Sequence, residues 1–511
     1  MTTSYLLGVD LGTTGTRAVL YDAGGALISH GRAGVSLYHP QPGVVEQNAE
    51  DFYTSAVAAV RECLQGCRVD PSRVAGLAFD SQMAGIGTID EDFQPATRFD
   101  SWLDMRCQPY IDELNRNHAD RITSLTGCPP TCDHGPKILW WMHDRPEEYR
   151  RVAKFVTPAC YVAGRVAALR AEQAYMDYTF LHFTCLSDAQ KGTWSSELCE
   201  LLEVDQDRLP RIVAPWEVIG EVQPEAARDF GLAPGTPVAA GCGDTAAGAL
   251  GAGVVRPGML LDIAGTASVL ACSTDRFVAD RENRALLTMR SVVAGIWNPL
   301  AYIAGGGLAL RWLRDQFLNH GHVPADANQA YERMIEVARQ APPGCDGLVF
   351  SPHLGGRICP AAPEMRGAWV GFSWGHTQAH FYRAVLESVA YEYAWYLRIL
   401  RGLLPDLHLI EARAIGGGAQ NRAWNQMKAD ILDVPYQRVL RAESATWGSA
   451  LVAGKAVGLF DDLACKASHC ASVSGELITP DQEGDERYRL ALERYLAWEP
   501  RLKDGFEHLT S

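Results

Sequence analysis

Several classes of protein are excluded by what this 511-residue chain lacks. No run of 18 apolar, uncharged residues occurs, which rules out a membrane-spanning helix. Basic residues are in deficit, with 46 Lys and Arg against 61 Asp and Glu and a net charge of −15. That balance argues against a general electrostatic grip on nucleic acid or an anionic membrane, so an anionic ligand would need local donors. The opening Met1-Thr-Thr-Ser-Tyr-Leu-Leu-Gly-Val-Asp10 has no basic n-region and too short an apolar stretch for a signal peptide. Zinc-site spacing is missing as well. Cys63 and Cys67, Cys128 and Cys132, and Cys465 and Cys470 are close pairs, yet none is joined by a second pair at ribbon or finger spacing. Neither His-Glu-x-x-His nor Gly-x4-Gly-Lys-Ser/Thr occurs, which removes the metalloprotease and P-loop readings. A cytoplasmic chain with reduced thiols is the expectation.

What is present is a globular composition, 47% hydrophobic and 21% charged, long enough for two to four domains. The chain opens as a meander. Tyr5 to Asp10 reads as a strand, Leu11-Gly-Thr-Thr-Gly-Thr-Arg17 as a tight turn, Ala18 to Asp22 as a second strand, and Ala23-Gly-Gly as the turn into a third. Short apolar strands such as Val74 to Phe79 alternate with helical stretches, the α/β pattern. From Val238 to Gly253 the chain is dense in small residues and permits close backbone approach. Gly258 to Leu270 then repeats the opening weakly, with Gly265-Thr266 standing where Gly12-Thr13 stands. Two related halves meeting near residue 255 are expected, with Gly253, Pro257 and Gly258 as punctuation. Phe381, Val385, Val389, Tyr393 and Leu397 mark one face of a long helix. A third glycine turn, Gly416-Gly-Gly418, follows a strand at 409–415 and precedes a helix from Asn421. The tail, with Tyr488, Leu492, Tyr495 and Leu496 on one face, reads as a docked helix without chemistry.

Each glycine turn ends a strand, and two of them carry Gly-Thr pairs able to wrap phosphate oxygens with N–H groups and hydroxyls. Two carboxylates accompany them. Asp10 beside such a turn makes sense if a divalent cation lies between it and phosphate, the alternative being an Asx-type cap on the Gly12 turn. Asp244, between Gly243 and Thr245, would stand at a helix start, where it could take a proton from an incoming hydroxyl or cap the helix.

Together, Asp10-Leu-Gly-Thr-Thr14, Gly243-Asp-Thr-Ala-Ala-Gly248, Gly265-Thr266 and Gly416-Gly-Gly-Ala-Gln-Asn421 resemble the FGGY carbohydrate kinases, within the actin, sugar-kinase and heat-shock-chaperone superfamily. The likeness is greatest to the xylulokinase-like members and runs from Tyr5 to about Leu459. Gly135-Pro-Lys-Ile-Leu-Trp140 and Gly367-Ala-Trp-Val-Gly-Phe372 through Glu387 resemble the two family signatures, with departures at His134 and Phe372. The resemblance implies two RNase-H-like α/β domains around a central cleft, 1–254 on the sugar side and 255–511 on the nucleotide side, with ATP and Mg²⁺ as cofactors. It also implies that Asp10 organises Mg²⁺ and that Gly12, Thr13 and Thr14 face the transferring phosphate. Gly265 and Thr266 would hold the nucleotide phosphates, Gly416, Gly417 and Asn421 would line the adenosine pocket, and Asp244 would be the general base.

On the sugar side the resemblance implies contacts from Gln82, Met83, Trp102, Asp104, Asp244 and Thr245. Asp80-Ser-Gln-Met-Ala-Gly85 stands where xylulokinases show Gly-Gln-Met-His-Gly, so Ala84 replaces a histidine that contacts sugar. Trp102-Leu-Asp-Met-Arg106 matches Trp-x-Asp-x-Arg, with Trp102 as an apolar wall or a core aromatic and Asp104 as a hydroxyl acceptor. The Arg-Glu pair of glycerol kinases is absent at positions 83 and 84. The expected activity is ATP-dependent phosphorylation of a terminal hydroxyl of a small ketose, D-xylulose first, with ribulose, L-xylulose or erythritol as alternatives. The partners are sugar and ATP, without nucleic acid or membrane, and a homodimer is left open. A non-enzymatic nucleotide switch would have no use for Asp244, Trp102 and Asp104. A sugar-responsive repressor would need a helix-turn-helix for which a strand starting at Tyr5 leaves no room.

Overall fold

The computed structural model describes residues 4–318, 322, 326–481 and 485–510. Two sheets dominate it. The first uses β1 (Tyr5–Leu11), β2 (Gly15–Asp22), β3 (Leu27–Gly34), β5 (Val74–Ser81), β7 (Val218–Glu221) and β8 (Pro237–Gly243), in the order β7-β8-β5-β1-β2-β3. Beside it, the two-residue strands β4 (Glu46–Gln47) and β6 (Phe99–Asp100) pair with each other. The second sheet uses β9 (Met259–Ala264), β10 (Ser268–Cys272), β11 (Leu287–Arg290), β12 (Trp297–Ile303), β13 (Glu411–Ile415), β14 (Tyr436–Val439) and β15 (Val473–Ile478), in the order β11-β12-β10-β9-β13-β14-β15. The weak internal repeat has a structural counterpart. β1 pairs antiparallel with β2 and parallel with β5, and β9 pairs antiparallel with β10 and parallel with β13. Both hairpins turn on a Gly-Thr pair.

β1 is apolar at Leu6, Leu7, Val9 and Leu11, all fully buried, because the sheet is covered on both faces. Leu7, Val9 and Leu11 pack with Phe52, Ala56 and Val60 of α1 (Ala49–Gln65) and with Tyr161 and Val162 of α2 (Pro158–Ala167). On the opposite face Leu6, Val19 and Ala78 join Leu250 of α3 (Asp244–Gly251) and Trp447, Ala450 and Ala453 of α8 (Ser444–Ala456). That core also holds Leu261, Ala271 and Met289 of the second sheet, so α3 and α8 fill the space between the sheets. The outer face of the second sheet is covered by α6 (Gln378–Leu403) and α7 (Arg422–Leu432), with Val385, Val389, Tyr393 and Leu397 inward. α4 (Gly306–Leu313) and α5 (Ala327–Ala338) flank it. The C-terminal helix α9 (Asp485–Thr510) docks on α6 through Tyr488 and Tyr495, and polar ties reinforce the apolar face: Tyr488 accepts from Arg383 at 2.6 Å and Tyr495 donates to Glu392. No helix among the described residues is long and apolar enough to cross a membrane.

Local sequence does not signal α8, which returns from the second sheet to lie across β1 and β5. Its approach depends on glycine. A Cβ on Gly8 would sit 1.9 Å from the Thr446 carbonyl oxygen, and one on Gly448 would sit 2.0 Å from that of Ala247. Both obstacles are backbone and neither can yield without moving the helix. Gly8→Ala is therefore expected to lower unfolding free energy by about 3 kcal/mol in chemical denaturation. Gly475→Ala in β15, with no atom within 4 Å of the new methyl, should change it by no more than about 0.5 kcal/mol.

Candidate active site

Three carboxylates stand in a row where parallel strands end, the edge at which α/β sheets form ligand crevices. Asp10 and Asp80 are register partners on β1 and β5, and Asp244 is the first residue after β8 on the far side of β5. Asp10 is 8% exposed and does not cap its turn, because the Gly12 N–H bonds to the Gly15 carbonyl at 3.1 Å. Its Oδ2 lies 3.5 Å from Nη1 of half-exposed Arg17, its cross-strand partner, which also lies 3.7 Å from Glu443 of the second half. Burial raises the Asp10 pKa against the pull of Arg17. Asp80 is fully buried. One oxygen accepts the Ser449 hydroxyl of α8 at 2.5 Å, and the carboxylate lies beside that of Asp10. Burial, and then the charge of Asp10, holds it well above the usual carboxylate range.

Asp244 opens α3, but the cap position belongs to Gly243, and the Asp244 carboxylate accepts from the backbone N–H and hydroxyl of Thr245 at 2.6 and 3.2 Å. Burial and then the charge of Asp10 push it up to about 7. That value suits a base at neutral pH. Gly243 has a second role, since a Cβ there would meet the Met83 Cε at 2.5 Å, so its absence seats the Met83 thioether against the start of α3.

The turn residues and sugar-side residues meet each other. The Trp102 indole N–H donates to the Thr13 hydroxyl at 2.9 Å, and that hydroxyl donates to Gln82 Oε1 at 3.1 Å. Gln82 in turn donates to Gln47 Oε1 at 2.5 Å, and Gln47 donates to the Thr13 carbonyl at 2.9 Å. The Thr13 side chain is thus committed within the protein, and what the turn offers an anion is its backbone and the exposed Thr14. Asp104 requires a correction. Expected as a hydroxyl acceptor for sugar, its carboxylate is fully buried, accepts the Val45 N–H at 2.7 Å and is bridged by Arg106 at 2.8 Å, and Arg106 also reaches Glu46 at 2.9 Å. It braces the loop that carries Trp102. Ala84 adopts φ 58, and its carbonyl accepts from buried Lys137 at 3.0 Å, a second donor bond from the same ammonium going to Cys132.

A cavity of about 390 Å³ opens in the second half, lined by Gly265 and Thr266 of the β9–β10 turn, Gly307, Leu310 and Arg311 of α4, Tyr331, Met334 and Ile335 of α5, and Gly417, Gly418 and Asn421. Gly307 admits the turn, since a Cβ there would meet the Gly265 carbonyl at 1.9 Å. Gly416, at φ +87, bends the backbone into this turn. Asn421 caps α7, its Oδ1 accepting from the Trp424 N–H at 3.0 Å. A glycine cradle beside an apolar slot fits a nucleotide. The carboxylate oxygens at Asp10 and Asp80 fit a hard cation. No three His, Cys, Asp or Glu side chains gather as ligands among the described residues.

Sequence reasoning missed Gln47, Asp80, Arg17 and the α4–α5 lining. Arg17 alternates with its neighbours as any β2 residue would, and the helical lining is ordinary amphipathic sequence, so neither carries a motif.

Residues 5–251 match the model of the FGGY family of carbohydrate kinases, N-terminal domain, and residues 263–457 match the C-terminal domain. A xylulose kinase of Staphylococcus epidermidis is 27% identical over 497 residues, covering 96% of this chain and 95% of that protein. A gluconokinase of Bacillus subtilis is 26% identical over 498 residues, covering 95% and 94%. The solved gluconate kinase of Lactobacillus acidophilus shares the fold with a TM-score of 0.90 at 22% identity, covering 99% of this chain and all of that one. With both domain models matched in order, two sheet-bearing domains and carboxylates at the strand ends, the chain belongs to the FGGY family of carbohydrate kinases.

Proposed function

We propose that this carbohydrate kinase transfers the γ-phosphoryl group of ATP to a terminal hydroxyl of a small neutral ketose, D-xylulose at O5 being the first candidate. In this reading the chain divides into 1–254 on the sugar side and 255–511 on the nucleotide side. The observation that carries the assignment is Asp244, poised near 7 beside Asp10 on the edge that also presents the Thr13–Thr14 turn.

Asp244 accepts the proton of the attacking hydroxyl, and Thr245 orients its carboxylate. The N–H groups of Thr13 and Thr14 and the Arg17 guanidinium face the transferring phosphate, supplying the positioning and charge stabilisation that phosphoryl transfer requires. Mg²⁺, when bound, neutralises phosphate charge, and Asp10, with Asp80 beside it, would hold it. Gly265 and Thr266 cradle the nucleotide phosphates, while Leu310, Tyr331 and Met334 form a slot for the base. Met83 and the face of Trp102 wall the sugar.

Similar identity to xylulose kinase and gluconokinase relatives leaves both sugar classes to be weighed. The site favours a neutral sugar. Two basic side chains at the sugar motifs are committed, Arg106 to Asp104 and Glu46 and Lys137 to two carbonyls, and the edge itself is acidic. An aldonate would meet the acidic edge without help from either of these two cations. ATP consumption measured against pentuloses, hexuloses, polyols and gluconate tests this, with the fastest turnover expected on a ketopentose. Gluconate as the best substrate would reject the proposed class, and no sugar-dependent turnover at all would reject the acceptor chemistry.

Asp244→Asn is expected to reduce kcat by about 10²- to 10⁴-fold while ATP affinity, measured by calorimetry, stays within about twofold, because the nucleotide cavity lies elsewhere. Retention of a tenth of the wild-type rate would return Asp244 to a structural part. The pH dependence follows from its environment. The base works only ionised, so kcat/KM should fall toward acid with an apparent pKa of about 7. Asp10 is a like charge that raises this value, so Asp10→Asn should move the acid limb to lower pH while increasing the Mg²⁺ concentration required. A limb that stays in place would show that the two carboxylates do not sense each other.

A further inference from the structure

We propose that Gln47 is a positioning residue for phosphoryl transfer, closing a ring of hydrogen bonds through which the sugar-side wall, Trp102, sets the phosphate-facing turn at Thr13. The inference rests on the kinase reading but concerns residues to which that reading gives other parts or none.

Four segments distant in sequence meet in the ring. Trp102 donates to the Thr13 hydroxyl, Thr13 to Gln82, Gln82 to Gln47, and Gln47 back to the Thr13 carbonyl. Gln47 is fully buried and Gln82 is 3% exposed, so neither amide can exchange its partner for bulk water. The direction of the chain is forced at both ends. An indole N–H can only donate and a carbonyl oxygen can only accept. Turning over the Gln47 amide would set its oxygen against the Thr13 carbonyl, and turning over Gln82 alone would set its oxygen against Gln47 Oε1. One arrangement satisfies every member, and breaking any link leaves a buried polar group unpaired.

Both sides of the ring are anchored. Gln47 lies on β4, in register with Phe99 of β6, and the Ser101 N–H bonds to the Val45 carbonyl at 3.0 Å. The buried Asp104–Arg106–Glu46 cluster then ties the loop carrying Trp102 to the residue next to Gln47. Pressure of a sugar on Trp102 therefore reaches the Thr13 hydroxyl with little slack, and Gln47 sets the height of the Thr13 carbonyl and the aim of the N–H groups beside it. Sugar-site geometry and phosphate-site geometry are fixed by the same bonds, while the nucleotide cavity in the other half is untouched.

Two measurements on the full chain test this. Hydrogen–deuterium exchange reads the ring without substrate: Gln47→Met, which keeps length and loses both hydrogen bonds, should speed exchange in a peptide covering residues 11–17 several-fold and leave peptides around 411–432 unchanged. Equal exchange at 11–17 would overturn the proposal. Kinetics on the best panel sugar should show kcat lowered about tenfold or more with the KM for ATP within about twofold, since small misplacements carry large rate penalties. Thr13→Val cuts the same ring, so the double variant should lie close to the worse single one instead of at the product of the two effects. Multiplicative losses, or an unchanged kcat with only a lower melting temperature, would make Gln47 a core residue. If Gln47→Met does not fold, Trp102→Phe removes the donor at the ring's other end and is read in the same two ways. A failed kinase reading would show in the wild-type assay, whereas a failed ring shows only in the variants.

Discussion

Everything at the active edge depends on how closely one helix lies on one strand. α8 rests on β1 with no room for a side chain at Gly8, and on α3 with none at Gly448. Thr446 is thereby brought against Tyr21, with 2.9 Å between their hydroxyls, and Ser449 against Asp80 at 2.5 Å. Interlocked backbones transmit displacement because packed interiors are bistable rather than compressible. The helix that seals the central core is thus also the element by which the second sheet touches the carboxylate edge of the first.

That edge carries an electrostatic debt which the protein leaves open. Three other buried acids are each paired with a cation, Asp262 with Lys428 at 2.6 Å, Glu387 with Arg383 at 2.6 Å, and Asp104 with Arg106, whereas Asp177 and Asp133 are held by neutral donors. Among the described residues Asp80 meets the Ser449 hydroxyl and no cation, Asp10 a half-exposed arginine at 3.5 Å, and Asp244 its neighbour's N–H and hydroxyl. Desolvation raises all three carboxylates, and the charge of Asp10 raises Asp80 and Asp244 further, so the edge favours an incoming positive charge. Proton affinity at Asp244 and cation affinity at Asp10 thus share a cause: bringing a cation to one lowers the proton affinity of the other.

The strand–turn–strand openings of both halves, the long α6 stripe and the Asp10 and Asp244 positions were legible because they rest on local rules, alternation, helical period and glycine at turns. The particulars of contact were not. Thr13, Gln82 and Trp102 each read as a group facing a ligand, because polar and aromatic residues beside a glycine turn ordinarily do. Their mutual bonding needs Gln47, which lies in a two-residue strand without a pattern of its own. Asp104 read as an open acceptor because a motif states residue type and not accessibility; its partner Arg106, two residues on, was the signal that the carboxylate could be satisfied internally. Asp80 was hidden by its apolar strand, where a fully buried acid has no periodicity to reveal it.

The same distinction between contact and brace bears on how the sugar is chosen. At Ala84 the backbone is left-handed and its carbonyl is held by Lys137, so the turn keeps its shape although the histidine of the related motif is gone. If the resemblance holds at this position, what disappears is one polar partner for a sugar hydroxyl, and a site that does not bond a hydroxyl cannot strongly reject an analogue lacking it or presenting it in the other configuration. In the proposed reading discrimination then shifts to the reacting end, where the hydroxyl would reach Asp244 while the carbon chain lies along Met83 and Trp102. On that reading chain length, set by the distance between the wall and the base, would be the feature read most strictly, and configuration at the distant carbons the feature read least.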